Sequence, residues 1–256
     1  MTAQRRRRVK EGGRKGRRIA RATSTIDAPP YITRKVPVYE LASEELLALV
    51  EENAETVLEE IGIDFRDDPR ALQLFQNAGA LVEEERVRFP RGMCREIIQQ
   101  HAPNEFTQHA RNPGRSVQIG GDHAVFVPAY GPPFVRDLDS GRRYATLEDF
   151  ENFTKLTWMS PALHHSGGTL CEPVDVPVNK RHLDMIYSHL RWSDKPFMGS
   201  VTAPERAKDT VDMAEIVFGR SFVDSHCVIT SLINANSPMT FDATMLGAAR
   251  VYAEHN

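Results

Sequence analysis

Cysteine is scarce. Cys94, Cys171 and Cys227 are widely spaced and never form a CxxC pair, which excludes a disulfide framework or a structural zinc site as the organising device. A reducing, cytoplasmic setting is the expectation. No apolar run approaches the roughly 20 residues that span a bilayer, and the amino terminus lacks an apolar signal-type segment, so no membrane association is expected. Glycine-rich phosphate loops are missing too: the pair Gly167-Gly168 fits neither GxGxxG nor GxxxxGK[ST], and no GxSxG elbow occurs.

Net charge is small, formally -3, but it is unevenly placed. Met1 to Arg21 holds ten of the 32 Lys/Arg and one of the 35 Asp/Glu, leaving 22 basic and 34 acidic residues in the rest. Like-charge runs with interspersed glycines are usually solvated, so residues 1–30 are expected to form a basic disordered arm. The acidic body suits a cationic ligand better than nucleic acid, whose binding rests on neutralising phosphates.

Residues 31–110 read as a helical amino-terminal region. Ser43 is a candidate N-cap for a helix whose apolar stripe is Leu46, Leu47, Val50, Ala54, Val57, Leu58 and Ile61, with Gly62 as its terminator. A second helix runs from Asp68-Pro69 to Gly79, "ERVRFP" alternates like a strand, and a third helix covers about Arg91 to Gln100. Residues 111–160 change to hairpins, "SVQI", "AVFVPA", "PFVRDL" and "RRYA", followed by a helix opened at Thr146. Residues 161–256 then repeat strand, loop and helix three times, with Leu183, Ile186, Tyr187 and Leu190 as the inward face of the first unit's helix. Ser237 and Pro238 are the expected N-cap and first residue of the last helix. The pattern predicts an α/β fold, an incomplete TIM (β/α)8 barrel of about three β/α units preceded by the helical region and hairpins. Eight strands close such a barrel, so a piece of a larger β/α protein is expected, with a small open α/β sheet as the competing reading.

In β/α folds the ligand lies where strand ends meet helix N-termini. That rule selects Ser166, Gly167, Gly168, Thr169 and Glu172 after the first strand, Ser200 and Thr202 after the second, and Asn234, Asn236 and Ser237 after the third. Each also has an ordinary use in turns and caps. Cys171 and Glu172 are the candidates for chemistry. The aromatic rings near the hairpins, Phe126, Tyr130, Phe134 and Tyr144, are candidates to face a cation, and Tyr130 stands out because Gly131 and two prolines follow it. His164 and His165 alternate across a strand, and His182 and His189 share a helix face without a third ligand, so no metal site is expected.

Three stretches, "AYGPPFVRDLDSGRRYATLEDFENFTKL", "HHSGGTLCEPVDVPVNKRHLDMIYSHLRWSDKPFMGS" and "NANSPMTFDATMLGAARVYAEHN", together resemble the trimethylamine methyltransferase (MttB-like) family, and the likeness covers nearly everything after the arm. The resemblance implies a TIM barrel in a protein about twice this length, of which this chain is the amino-terminal half. It also implies transfer of a methyl group from a methylated amine, trimethylamine or a quaternary amine such as glycine betaine, to a Co(I) corrinoid (cobalamin) carried by a partner protein. Pyrrolysine, used by some members, would fall in the later part of the barrel.

Under that resemblance Glu172 is the catalytic candidate, Tyr130 and Phe134 hold the cation, and Ser166, Gly167, Gly168, Ser200, Thr202, Asn234, Asn236 and Ser237 line the substrate site. A betaine carboxylate would seek donors among Ser166, Gly167, Thr202, Asn234 and Asn236. A homo-oligomer is expected. The competing class is a non-catalytic binding or assembly module whose basic arm contacts nucleic acid or a membrane.

Overall fold

The computed structural model describes residues 29–255, so nearly all of the expected arm lies outside the described residues. The chain opens with β1 (Ile32–Thr33) and α1 (Glu44–Thr56), which continues as a π-turn over Val57–Ile61. The Ser43 hydroxyl accepts from the Leu46 amide, and Gly62, at φ 77°, ends the element. Then come β2 (Ile63–Arg66), α2 (Pro69–Ala78), β3 (Leu81–Glu83), β4 (Arg86–Arg88) and α3 (Met93–His101).

The stripe expected to bury α1 does not do so, because Leu46, Leu47 and Val50 are exposed. Its acidic side anchors the helix instead. Glu51 pairs with Arg95 at 2.8 Å, Glu59 with Arg91 at 3.0 Å, and Glu55 accepts from the Gly92 amide. Only past the helix, at Leu58, does this segment join the cluster around Phe65, Val87 and Phe89.

Next come β5 (Glu105–Gln108), β6 (Val117–Gly120) and β7 (His123–Ala124), antiparallel in the order β1-β7-β6-β5. "AVFVPA" forms less strand than its alternation predicts. Beyond Ala124 the chain turns to His164, whose Nδ1 accepts from the Phe126 amide while Phe126 O accepts from the His164 amide. The hairpin of β8 (Phe134–Asp137) and β9 (Gly141–Tyr144) precedes α4 (Leu147–Met159), which opens on a capping box between Thr146 and Asp149.

The remaining elements are α5 (Arg181–Trp192), β10 (Phe197–Met198), α6 (Pro204–Phe218), α7 (Arg220–Val223), β11 (Ile229–Thr230), β12 (Thr240–Asp242) and α8 (Ala243–Ala253). β10 and β11 pair in parallel. Upstream, the Ser166 amide donates to Pro196 O and the Met198 amide to Gly167 O, so a third segment runs alongside in the same direction. Gly167, at φ 86°, breaks its regularity. The architecture is mixed α/β, with no closed barrel among the described residues.

The last unit departs from expectation. β12 pairs in parallel with β2 and completes the sheet β12-β2-β4-β3, with Phe241 stacked on Phe65 at 5.6 Å. That pairing keeps residues 240–242 extended, so the helix starts later and Asp242, accepting from the Met245 amide at 2.9 Å, caps it in place of Ser237.

Gln108 is fully buried and fastens the three parallel segments. Its Nε2 donates to Phe197 O and Val228 O, while its Oε1 accepts from His165 and from the Thr230 hydroxyl. Ile186, Phe197, Val211, Ala214, Val223 and Val228 form the core under the helices. Among the described residues no helix is long and apolar enough to cross a membrane.

Candidate functional site

Where the three parallel segments end, their loops and α5 enclose a cavity of about 250 Å³. Gly168 and Thr169 come from the first segment, Ser200 and Thr202 from the second, and Leu232 and Asn234 from the third. Tyr130 closes one wall. Its loop is tied to the first segment by the Gly131 amide donating to Thr169 O at 2.6 Å and the Glu172 amide donating to Pro132 O at 3.0 Å. A Cβ on Gly168 would lie 2.5 Å from Tyr130 Cε2 and 3.1 Å from Met198 Cβ. Glycine is therefore required there for close approach, while Gly167 supplies the positive-φ turn.

Two buried histidines shape this glycine pair. His189 Nε2 meets Gly168 O at 2.7 Å, and a carbonyl can only accept, so Nε2 carries the proton and Nδ1 accepts from the Ser166 hydroxyl at 2.7 Å. His165 Nδ1 accepts from the Gly167 amide at 2.9 Å, leaving Nε2–H for Gln108. Burial lowers His189 to about 4 and His165 to about 3, so both rings are neutral at pH 7.

The rest of the lining is split between apolar and cationic groups. Met185, Met198 and Met245 offer soft, polarizable side chains. Arg181 pairs with Glu172, His182 Nε2 lies 2.7 Å from Asp209, and Arg206 donates to the Thr202 hydroxyl at 2.9 Å. Arg206 has no carboxylate partner among the described residues.

Of the residues selected from sequence, Tyr130, Gly168, Thr169, Glu172, Ser200, Thr202 and Asn234 line the cavity. Ser166 and Gly167 lie beneath it, and the Ser166 hydroxyl is engaged by His189. Phe134 lies elsewhere, on its hairpin between Arg142, 3.8 Å over the ring, and Tyr144. Asn236 donates to Asp242 at 2.8 Å, and neither it nor Ser237 lines the cavity, because β12 draws this part of the chain toward β2. Cys171 is buried in an apolar cluster that pushes its thiol up to about 12, so it is no nucleophile.

Arg181 and Arg206 were missed, and His182 and His189, expected to share a helix face, were weighed only as metal ligands. The expected inward face of α5 is turned: Leu183 and Tyr187 are exposed, while His182, Ile186, Ser188 and His189 are buried. The spacing of the two histidines was a usable signal for a shared face. Nothing in the sequence marks Arg206 apart from other helix-start arginines. Away from the cavity lining, Glu215, Asp224 and His255 have ligand-type atoms within 4.8 Å of one another.

Residues 10–256 match the family model described as trimethylamine methyltransferase (MTTB). The glycine betaine methyltransferase of Desulfitobacterium hafniense (strain Y51) is 46% identical over 220 residues, which is 86% of this chain and 46% of that protein. The chain thus spans about half the length of the curated relative it matches.

Proposed function

Because the chain belongs to the trimethylamine methyltransferase (MTTB) family, we propose that its cavity binds a methylated amine and presents one N-methyl group for transfer to a corrinoid. The observation that carries this reading is the wall of Tyr130, Met185, Met198 and Met245 at the shared mouth of three parallel segments. Aromatic faces and polarizable thioethers suit a trimethylammonium group, whose charge is spread over its methyls and needs no hydrogen bond.

At about 250 Å³ the space suits a small amine and is far too small for a corrin ring. That favours a corrinoid carried by a partner protein which docks at the opening. Co(I), once delivered there, supplies the nucleophile. The protein's own residues then have three tasks: to exclude water, to hold the ammonium, and to aim one methyl outward. Alignment of this kind accounts for much of the acceleration of a two-reactant step. A quaternary amine leaves as a neutral amine, so no general acid is called for. In this reading Glu172 serves at the mouth by holding Arg181. The incomplete (β/α)8 barrel belongs to the same proposal: the three parallel segments and their helices would be its first units.

Methyl transfer from glycine betaine or trimethylamine to Co(I) cobalamin, read as loss of the Co(I) absorption with matching release of demethylated amine, tests the reading together with calorimetric binding of the amines. We expect saturable binding and transfer. No binding and no transfer would overturn it.

A further inference from the structure

A second cavity, also of about 250 Å³, opens at the amino ends of the parallel segments, opposite the one where Gly168, Ser200 and Asn234 meet. Its lining divides in two. Pro29, Pro30, Pro161 and Leu163 are apolar, while Arg115, His164 and Lys195 bring charge or a ring N–H.

The polar side is rich in positive charge and short of acceptors. Lys195 and His164 are only 4% and 6% exposed, so both are built into the wall. The Lys195 ammonium donates to the carbonyls of Thr157, Ser160 and Leu163 and makes no ion pair among the described residues. Carbonyls satisfy its protons but leave its net charge without a counter-ion, which a buried cation ordinarily has. Burial and then the nearby Arg115 charge lower Lys195 to about 8, so it is still cationic at pH 7. Arg115 has Asp194 at 3.4 Å, but that carboxylate also accepts from Asn112 and Trp158 and lies outside the lining. Two cations therefore share one distracted carboxylate.

His164 supplies a donor. Its Nδ1 accepts from the Phe126 amide at 2.9 Å, so the neutral ring carries its proton on Nε2. Burial and the Lys195 charge push its pKa below the ordinary value, which keeps the ring neutral at pH 7. No acceptor among the described residues meets that Nε2–H, and the atom retains accessible surface on a residue that lines the cavity.

We propose that this cavity is a binding site for a small organic anion, whose oxyanion head meets Arg115 and His164 in the field of Lys195 while its apolar body lies against the prolines and Leu163. A cation would be repelled here, and a bare inorganic anion would leave the apolar wall in water. The claim is independent of the methylated-amine reading.

Isothermal calorimetry on the full chain at pH 7 tests it with benzoate, its uncharged isostere benzamide, and acetate. Benzoate should bind saturably. Benzamide should bind at least about tenfold more weakly, the size of a lost charge-assisted hydrogen bond, and acetate should be weaker than benzoate because it buries little apolar surface. Arg115→Met should weaken benzoate at least about tenfold. So should His164→Asn, whose Oδ1 can still accept from the Phe126 amide but whose short side chain cannot replace the Nε2 donor. Arg206→Met, in the other cavity, should leave benzoate binding unchanged, and circular dichroism verifies that each variant is folded.

Absence of saturable benzoate binding overturns the proposal, as does equal binding of benzamide or binding that survives both Arg115→Met and His164→Asn. Loss of binding in Arg206→Met would move the anion to the other cavity and overturn it as well. Asp27 stands two residues before Pro29 in the chain, so Asp27→Asn completes the set. Benzoate binding that appears only in that variant would assign the cavity to the chain's own carboxylate and defeat the proposal of a separate ligand.

Discussion

At Gly168 a single hydrogen in place of a methyl lets the Tyr130 ring form a wall of the cavity. Alanine there would set a Cβ 2.5 Å from Tyr130 Cε2, closer than real carbon atoms pack, and 3.1 Å from Met198 Cβ, a tight contact. Met198 sits on a strand and cannot move far, whereas the half-exposed Tyr130 can swing outward. Gly168→Ala should therefore weaken binding of a quaternary ammonium about tenfold, the value of a desolvated cation–π contact. Its thermal midpoint should fall only modestly. Calorimetry with tetramethylammonium alongside a melting curve checks this, and unchanged binding would place the cation away from Tyr130.

Elements are joined by polar side chains at points where apolar packing alone leaves carbonyls exposed to the interior. Lys195 is the clearest case. It is buried, and its ammonium donates to Thr157 O at 2.7 Å, Ser160 O at 3.0 Å and Leu163 O at 2.6 Å, capping the carboxyl end of α4 and fixing the turn into the first parallel segment. A cation at a helix carboxyl terminus is favoured by the dipole as well. Lys195→Met keeps the length of the stem but leaves those carbonyls unpaired. A loss of about 3 kcal/mol is expected, measured as a lower urea midpoint. Glycine betaine binding should suffer too, since Leu163 leads directly into the glycine pair.

Across the whole molecule, the same neutral histidines that shape the cavity floor make the fold sensitive to acid. His165 and His189 sit at about 3 and about 4 against an ordinary 6.5. Between pH 6.5 and 4 the unfolded chain binds protons that the native chain refuses, so their stabilisation is complete above that window and is lost as pH falls through it. By pH 4 the loss should be on the order of 3 kcal/mol for each. Urea titrations at stepped pH read this directly. His189→Gln should flatten part of the decline, and an undiminished slope in that variant would show that other groups govern it. The molecule is also tied end to end, since Asp68, which caps α2, pairs with Arg250 of α8 at 2.6 Å.

Local signals settled much of this protein from the sequence alone. The cap at Ser43, the helix opening at Thr146, the stop at Gly79 and the loop residues after three successive strands all rest on backbone preferences and short-range hydrogen bonds, and seven of the selected residues meet at one cavity. What decided the remainder was partnership between distant segments. The outward stripe of α1 follows from ion pairs with α3, the late start of α8 from β12 joining β2, and the inward turn of α5 from polar partners for His182 and His189 on other elements. Periodicity can tell which residues share a helix face. Which face turns inward depends on what the other chain segments bring to meet it, and that information exists only once the chain is folded.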